Sequence, residues 1–294
     1  MLTGIHVVMI GGDARQLEII RKLSSLDARI SLVGFEQLND GFIGASKQEL
    51  SEIEWPSVDA ILLPVGGLSN DGVINSVFSN ETLTLEATQL SKTPKSCTIY
   101  TGIISDQLEK MAKQSKCQMI ALMDRDDVAI YNSIPTAEGA VMLAIQHTDI
   151  TIHNANVSVL GLGRIGMTIA KTFKALGANV SVGVREKANL ARAFELGMKP
   201  FSIENIKEAM KSADLVINTI PAKVVTSNVL TEMKQHAFIL DLASKPGGVD
   251  FDYAEKRGLK AMLVPGLPGM VAPKTSGKIL AGVLSDLLLE QTQS

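Results

Sequence analysis

Cysteine, histidine, basic runs and long apolar runs are all scarce in this chain, and each shortage narrows what it can be. Its 294 residues include two cysteines, Cys97 and Cys117, with neither metal-ligand spacing nor a histidine cluster beside them. That usage suits reduced, core-packed thiols in a cytoplasm and offers no metal site. The four histidines, His6, His147, His153 and His236, fall in strands, helix bodies or connectors, so a general-base histidine is unsupported. With a net charge of −3 and no basic run, the chain lacks the electrostatic footprint for nucleic acid or an acidic membrane. No apolar run reaches the roughly 18 residues of a spanning helix, and no charged-then-apolar leader opens the chain. A soluble cytoplasmic protein with small-molecule and protein partners is the expectation. Neither a nucleophile elbow nor a metal motif appears.

What is present is enough apolar material, 46% against 20% charged residues, to fill two globular cores. Residues 5–10 read as a strand that breaks at Gly11-Gly12-Asp13, before a helix carrying Leu17, Ile20, Leu23 and Leu26. Residues 29–35, 58–65, 98–104 and 117–123 continue the strands, and their alternation with helices predicts a parallel sheet covered on both faces. The loops at 11–15, 66–68, 101–102 and 124–127 then share one edge, the candidate substrate face. Gly11-Gly12 lacks the third glycine of a dinucleotide fingerprint, so no nucleotide is expected there.

Ser133, Pro135 and Glu138 together read as a helix start: a cap, a first-turn proline and a dipole-complementing carboxylate. The boundary is therefore expected near Ser133, with residues 1–134 a substrate or catalytic domain and residues 135–274 a Rossmann domain. In the second half, strands are expected at 157–160, 179–184, 215–219, 238–242 and 260–264, with helices between, one of them capped by Ser202. A last helix at 275–294 carries Ile279, Leu280, Val283, Leu284, Leu287 and Leu288. By analogy with two-domain dehydrogenases, it is expected to pack back on the first domain. The predicted fold class is thus α/β, two doubly wound parallel-sheet domains.

The run Val157-Ser158-Val159-Leu160-Gly161-Leu162-Gly163-Arg164-Ile165-Gly166 is strand, glycine turn and helix. The first Gly makes the tight turn, the second lets backbone approach a pyrophosphate, and the third lets helix and strand pack closely. Gly161, Gly163, Arg164, Ile165 and Gly166 are the cofactor candidates there. About 20 residues on, where a carboxylate binds the ribose of NAD, stands Arg185. A planar cation suits a 2′-phosphate, so NADP is favoured, with NAD possible. Lys187 is either a second cation or a solvated helix-start lysine, and Glu186 softens the preference. Thr219 and Pro221 in one loop, and Ala243 in the next, are expected to border the nicotinamide. Lys245 is the cation of residues 242–248, either a carboxylate ligand or proton donor, or an exposed loop lysine. Arg15 can form a bidentate carboxylate pair or a salt bridge at its own helix start.

Ile10-Gly11-Gly12-Asp13-Ala14-Arg15-Gln16, residues 132–139, the glycine turn and Asp241-Leu242-Ala243-Ser244-Lys245-Pro246-Gly247-Gly248 together resemble the dipicolinate synthase A-subunit family of endospore-forming bacteria, along the whole length. The resemblance implies NADP-linked dehydrogenation of a dihydrodipicolinate-type ring dicarboxylate to pyridine-2,6-dicarboxylate. This is a branch of the lysine and diaminopimelate pathway in the sporulating mother cell. It also implies a partner, a flavoprotein-like B subunit, and a homo-oligomer is expected. Two substrate carboxylates call for cationic or N–H clamps, for which Arg15, Lys245 and the helix start at 133–138 are candidates. Thr136 is a possible donor and Glu138 a possible base if burial raises its pKa. The alternatives are a nucleotide-binding regulatory or scaffolding subunit, with the redox chemistry on the partner, and a 2-hydroxy-acid or amino-acid dehydrogenase of the same architecture.

Overall fold

The computed structural model describes residues 1–39 and 41–292, so residues 293–294 of the expected last helix lie outside it. Two compact units emerge: Met1–Ala129 together with the segment beginning at Pro273, and Ile130–Ala272.

In the first unit, β1 (His6–Ile10), β2 (Arg29–Val33), β3 (Ala45–Lys47), β4 (Ala60–Leu62), β7 (Thr98–Thr101) and β8 (Gln118–Ala121) form a parallel sheet in the order β3-β2-β1-β4-β7-β8. A small antiparallel pair, β5 (Val73–Ile74) and β6 (Leu83–Thr84), lies in the β4–β7 connection. Helices α1 (Ala14–Ser25), α2 (Ala87–Leu90) and α3 (Asp106–Ser115) join the strands. β1 is buried at every position, because alternate residues serve two cores. Val7 and Met9 face one cluster with Ile20, Leu23, Leu280 and Leu284, whereas Val8 and Ile10 face another with Ile61, Ile99 and Leu108. Each such side chain contributes about 1.5–3 kcal/mol, which is why a covered parallel strand reads as an unbroken apolar run. Cys97 belongs to the second cluster, and burial pushes its thiol pKa up to about 12. Both cysteines are free thiols.

The last helix, α11 (Pro273–Gln291), lays Leu280, Leu284 and Leu288 into the first-unit core. Its Gly277 comes so close to α1 that a Cβ would sit 2.5 Å from the Arg15 carbonyl oxygen. The terminal segment thus packs on the first sheet layer, as the fold analogy implies.

The expected helix start at Ser133 is overturned. One continuous helix, α4, spans Asp126–His147, with Pro135 inside it. Its true start is upstream: Ala129 N–H donates to the Arg125 carbonyl, and the Asp127 carboxylate accepts from Val128 N–H. Proline in a helix body removes a ladder bond and costs about 3 kcal/mol. Here the cost is offset by the burial of Ala137, Ala140, Leu143 and Ala144 in the second-unit core. By length and composition, α4 is the one described helix apolar enough to cross a membrane, but 61% of that stretch is buried inside the protein.

In the second unit, β9 (Asn156–Leu160), β10 (Asn179–Val184), β11 (Lys199–Ser202), β12 (Leu215–Asn218), β13 (Phe238–Asp241) and β14 (Lys260–Leu263) are parallel in the order β11-β10-β9-β12-β13-β14. The connecting helices are α5 (Arg164–Ala175), α6 (Lys187–Glu195), α7 (Ile206–Met210), α8 (Ser227–Leu230), α9 (Phe251–Lys256) and α10 (Leu267–Val271). Strand β11 was not anticipated; it is a four-residue edge strand containing Pro200, and proline is tolerated only at such edges. Ser202 caps the expected helical run, which opens as a 3-10 turn, Ile203–Asn205, and continues directly as α7 to its C-cap at Lys211. The sequence order reverses direction between β9 and β12, the switch point at which open α/β sheets bind ligands.

Candidate functional site

The glycine turn occupies that switch point. Gly161 follows β9 with φ at +96°, a backbone that side chains rarely adopt. A Cβ there would come within 2.5 Å of Thr219 Oγ1. Gly166 lies against the Gly161 carbonyl, where any side chain would collide. Around Gly163, in contrast, a Cβ would meet nothing within 4 Å. The three glycines therefore differ: two are needed by the protein's own packing, and the middle one faces open space, as close approach of a ligand requires.

Gly163 is also the N-cap of α5, without a side-chain cap hydrogen bond. The first ladder bond runs from Met167 N–H to the Gly163 carbonyl, so the first-turn N–H groups, those of Ile165 and Gly166 included, have no intrahelical acceptor. With the positive dipole end of a 12-residue helix behind them, they form an anion site. Arg164 is exposed on the same turn and Ile165 packs against the core. These features fit a dinucleotide's pyrophosphate.

Arg185 follows β10 directly, is exposed, and has no hydrogen bond or ion pair among the described residues. Glu186 is the N-cap of α6 and Lys187 its first residue, both exposed. Thr219 is tied down: its N–H and Oγ1 both donate to the Leu160 carbonyl, at 3.0 and 2.8 Å. Pro221 is exposed in the loop after β12, and Ala243 is buried in the loop after β13. Lys245 is exposed at the tip of a turn closed by Gly247 N–H donating to the Ser244 carbonyl at 2.9 Å.

The remaining candidates are placed differently. Ser133 is buried in α4, its hydroxyl 2.6 Å from the Ile130 carbonyl and 2.7 Å from Thr168 Oγ1. Thr136 is buried too and donates to the Asn132 carbonyl at 2.7 Å. Both hydroxyls are thus engaged within the protein, and no helix N-terminus exists at 133–138 to clamp a carboxylate; the proline cue misled because a buried helix can carry proline in its body. Glu138 is exposed, well past the acids of the real helix start.

In the first unit, Arg15 Nη2 lies 2.6 Å from Asp13 Oδ2, and its Nε also donates to that carboxylate. Burial alone would raise the Asp13 pKa, but hydrogen bonds from the Arg15 side chain and backbone, together with its charge, hold it below the ordinary value. Asp13 also caps α1 in a reciprocal box with Gln16. The nearby Gly11-Gly12 turn is closed by its own chain: Gly12 N–H donates to the Asn75 carbonyl, and Val77 N–H to that of Gly12.

Residues 6–123 match the N-terminal domain of the dipicolinate synthase A subunit, and residues 129–294 match the alanine dehydrogenase/PNT C-terminal domain. The dipicolinate synthase A subunit of Bacillus subtilis is 57% identical over 290 residues, covering 99% of this chain and 98% of that one. The crystal structure of the A subunit from Bacillus halodurans superposes with a TM-score of 0.97 at 61% identity, over 98% of this chain and 99% of that one. A transhydrogenase from Sinorhizobium meliloti, at 18% identity and a TM-score of 0.67 over 96% of this chain and 94% of that one, shares the fold. By sequence and structure along its length, the chain belongs to the dipicolinate synthase A-subunit family and carries a dehydrogenase-type nucleotide-binding domain.

Proposed function

We propose that the chain performs the NADP-dependent dehydrogenation of a dihydrodipicolinate-type ring dicarboxylate to pyridine-2,6-dicarboxylate, in the cytoplasm of a sporulating mother cell. The observation that carries the reading is Arg185: an exposed, unengaged guanidinium where NAD-binding sheets place a carboxylate. It matches a 2′-phosphate in charge and geometry, and Lys187 adds a second cation nearby in sequence. NADP, when bound, supplies a two-electron acceptor for hydride.

The chain's own residues do the rest. Ile165 and Gly166 offer N–H groups to the pyrophosphate, while Pro221 and Ala243 border the ring. Lys245, exposed at its turn tip, meets one substrate carboxylate. Arg15, whose Nε and Nη2 are held by Asp13, keeps Nη1 as its candidate carboxylate donor in the first unit. In the oxidation the dihydro ring gives up a hydride to the nicotinamide and a proton to solvent, and the aromatic ring forms with both carboxylates retained. A homo-oligomer and a flavoprotein-like B subunit complete the proposed assembly.

The test mixes the purified chain, with and without its partner, with NADP and freshly generated substrate. Reduced-nicotinamide absorbance should rise; no rise in either mixture sinks the proposal. Turnover left intact in both Arg15→Ala and Lys245→Ala would move the chemistry to the partner and make this chain a nucleotide-binding regulatory subunit. Arg185→Ala should weaken NADP by about tenfold while leaving NAD within about twofold, since one charge-assisted phosphate contact is lost.

A further inference from the structure

At the ends of β12 and β13 lie two fully buried polar side chains, Asn218 and Asp241. Strand interiors of covered parallel sheets are apolar, so a carboxylate there has a cost that only hydrogen bonds can offset. Asp241 has them: Asn218 Nδ2 donates to Oδ1 at 2.8 Å, Ala243 N–H to Oδ1 at 3.1 Å, and Gly248 N–H to Oδ2 at 2.6 Å. No cation pairs with it among the described residues, and all three of these donors belong to the protein itself.

Where those donors come from is informative. Ala243 and Gly248 are the two feet of the turn whose tip is Lys245, so one carboxylate pins both ends of that turn. A Cβ on Gly247 would stand 2.6 Å from Asp241 Oδ2, and one on Gly248 would strike Asn218 Nδ2, so this loop must be made of small residues to sit so close. Asn218 also binds the neighbouring loop through both ends of its amide, accepting from Ile220 N–H at 3.1 Å and donating to the Ile220 carbonyl at 3.0 Å. The next residue back along that loop is Thr219, which locks onto Leu160 and fills the space beside Gly161 and Gly166. An unbroken chain of contacts thus runs from the glycine turn through Thr219, Asn218 and Asp241 to the Lys245 turn.

We infer that Asn218 and Asp241 are positioning residues: a buried amide–carboxylate pair that fixes the Lys245 turn relative to the glycine turn. The structural half stands on these contacts. The functional half rests on the proposal that Lys245 meets a substrate carboxylate. Pinning matters because a misplacement of about 1 Å at a substrate-binding group can cost on the order of 100-fold.

Asp241→Asn tests it in the full chain, since it keeps the shape but turns one acceptor into a donor facing the N–H groups. Hydrogen exchange at the Ala243 and Gly248 amides should quicken by about tenfold or more as the feet come loose. Dipicolinate, used as the binding probe, should weaken by about tenfold and NADP by clearly less, because the loosened foot at Ala243 borders only the ring whereas the phosphate contacts lie at the glycine turn and Arg185. In turnover, kcat for the dicarboxylate should fall by more than KM for NADP rises. Unchanged amide exchange overturns the inference. So does faster exchange with unchanged dipicolinate affinity, or parallel loss of dipicolinate and NADP, which would mark a general structural role. If Asp241→Asn does not fold, Asn218→Ser removes only the tie between the loops and is read in the same way, with smaller shifts. A wild-type chain that binds NADP but not dipicolinate would instead sink the proposed function, and amide exchange alone would then decide whether the turn is pinned.

Discussion

The two units repeat one design, strand order included, yet their first β–turn–α segments end in opposite states. After β1, the helix start is satisfied from within: Asp13 and Gln16 form a capping box, Arg15 pairs with Asp13, and residues 75–77 bridge the Gly11-Gly12 backbone. After β9, Gly163 provides no side-chain cap and open space surrounds it. A helix N-terminus binds an anion only if nothing in the protein has already met its N–H groups. The same topology therefore makes a structural joint in one unit and an open helix start in the other.

The largest effect expected from breaking this contrast is at Gly163. Gly163→Val adds bulk where the protein has none, so the fold should persist, with melting temperature nearly unchanged. NADP affinity should fall by about 100-fold or more, because the side chain takes the place of the phosphate. Calorimetry against a melting curve would expose the error if binding survived, or if fold and binding failed together.

Opening the joint in the first unit is worth less. Asp13→Ala removes the cap of α1 and the partner of Arg15, and should cost about 1 kcal/mol in denaturant unfolding, leaving NADP affinity as it was. A loss of NADP binding in that variant would show that the first turn takes part in holding the cofactor.

The smallest effect is a pH dependence confined to one unit. His6 opens β1 where Asn156 opens β9, and both donate their N–H to an aspartate, Asp59 at 2.8 Å and Asp214 at 2.9 Å. The His6 ring is buried between Ser57 and Ser31. Burial, then the charge of Arg29, lowers its pKa from the ordinary 6.5, against opposing pulls from Ser57, Asp59 and Glu54. The unfolded chain thus binds a proton more readily than the folded one. The stability that His6 contributes is fully present above about pH 6.5 and is lost as pH falls through the depressed folded value. Unfolding free energy should therefore drop between about pH 7 and pH 5, and His6→Asn, which copies the second unit, should flatten that part of the curve. An identical slope in the variant would assign the pH dependence elsewhere.

Much of this was written locally. The apolar strands at 5–10 and 157–160, the glycine turn and the terminal leucine stripe each announce themselves within a dozen residues, because burial periodicity and turn stereochemistry are properties of neighbouring side chains. The edge strands were harder to read: β3 and β11 are short and partly polar, and β11 carries a proline. Ser133 misled for the same kind of reason, since a Ser-x-Pro pattern looks like a helix start until the surrounding core is known to hold the helix together through it.

By itself, then, the amino-acid sequence determined two parallel α/β sheets, a strand–turn–helix shaped for a dinucleotide and an arginine at the end of its second strand. Tertiary structure alone decided that the first unit's turn is filled by residues 75–77, that α4 runs unbroken through Pro135, and that Asp241 holds the Lys245 turn through Ala243 and Gly248. Each of these depends on groups meeting only after the chain has folded, and their hydrogen bonds and excluded space leave no periodic signal in the residues between them.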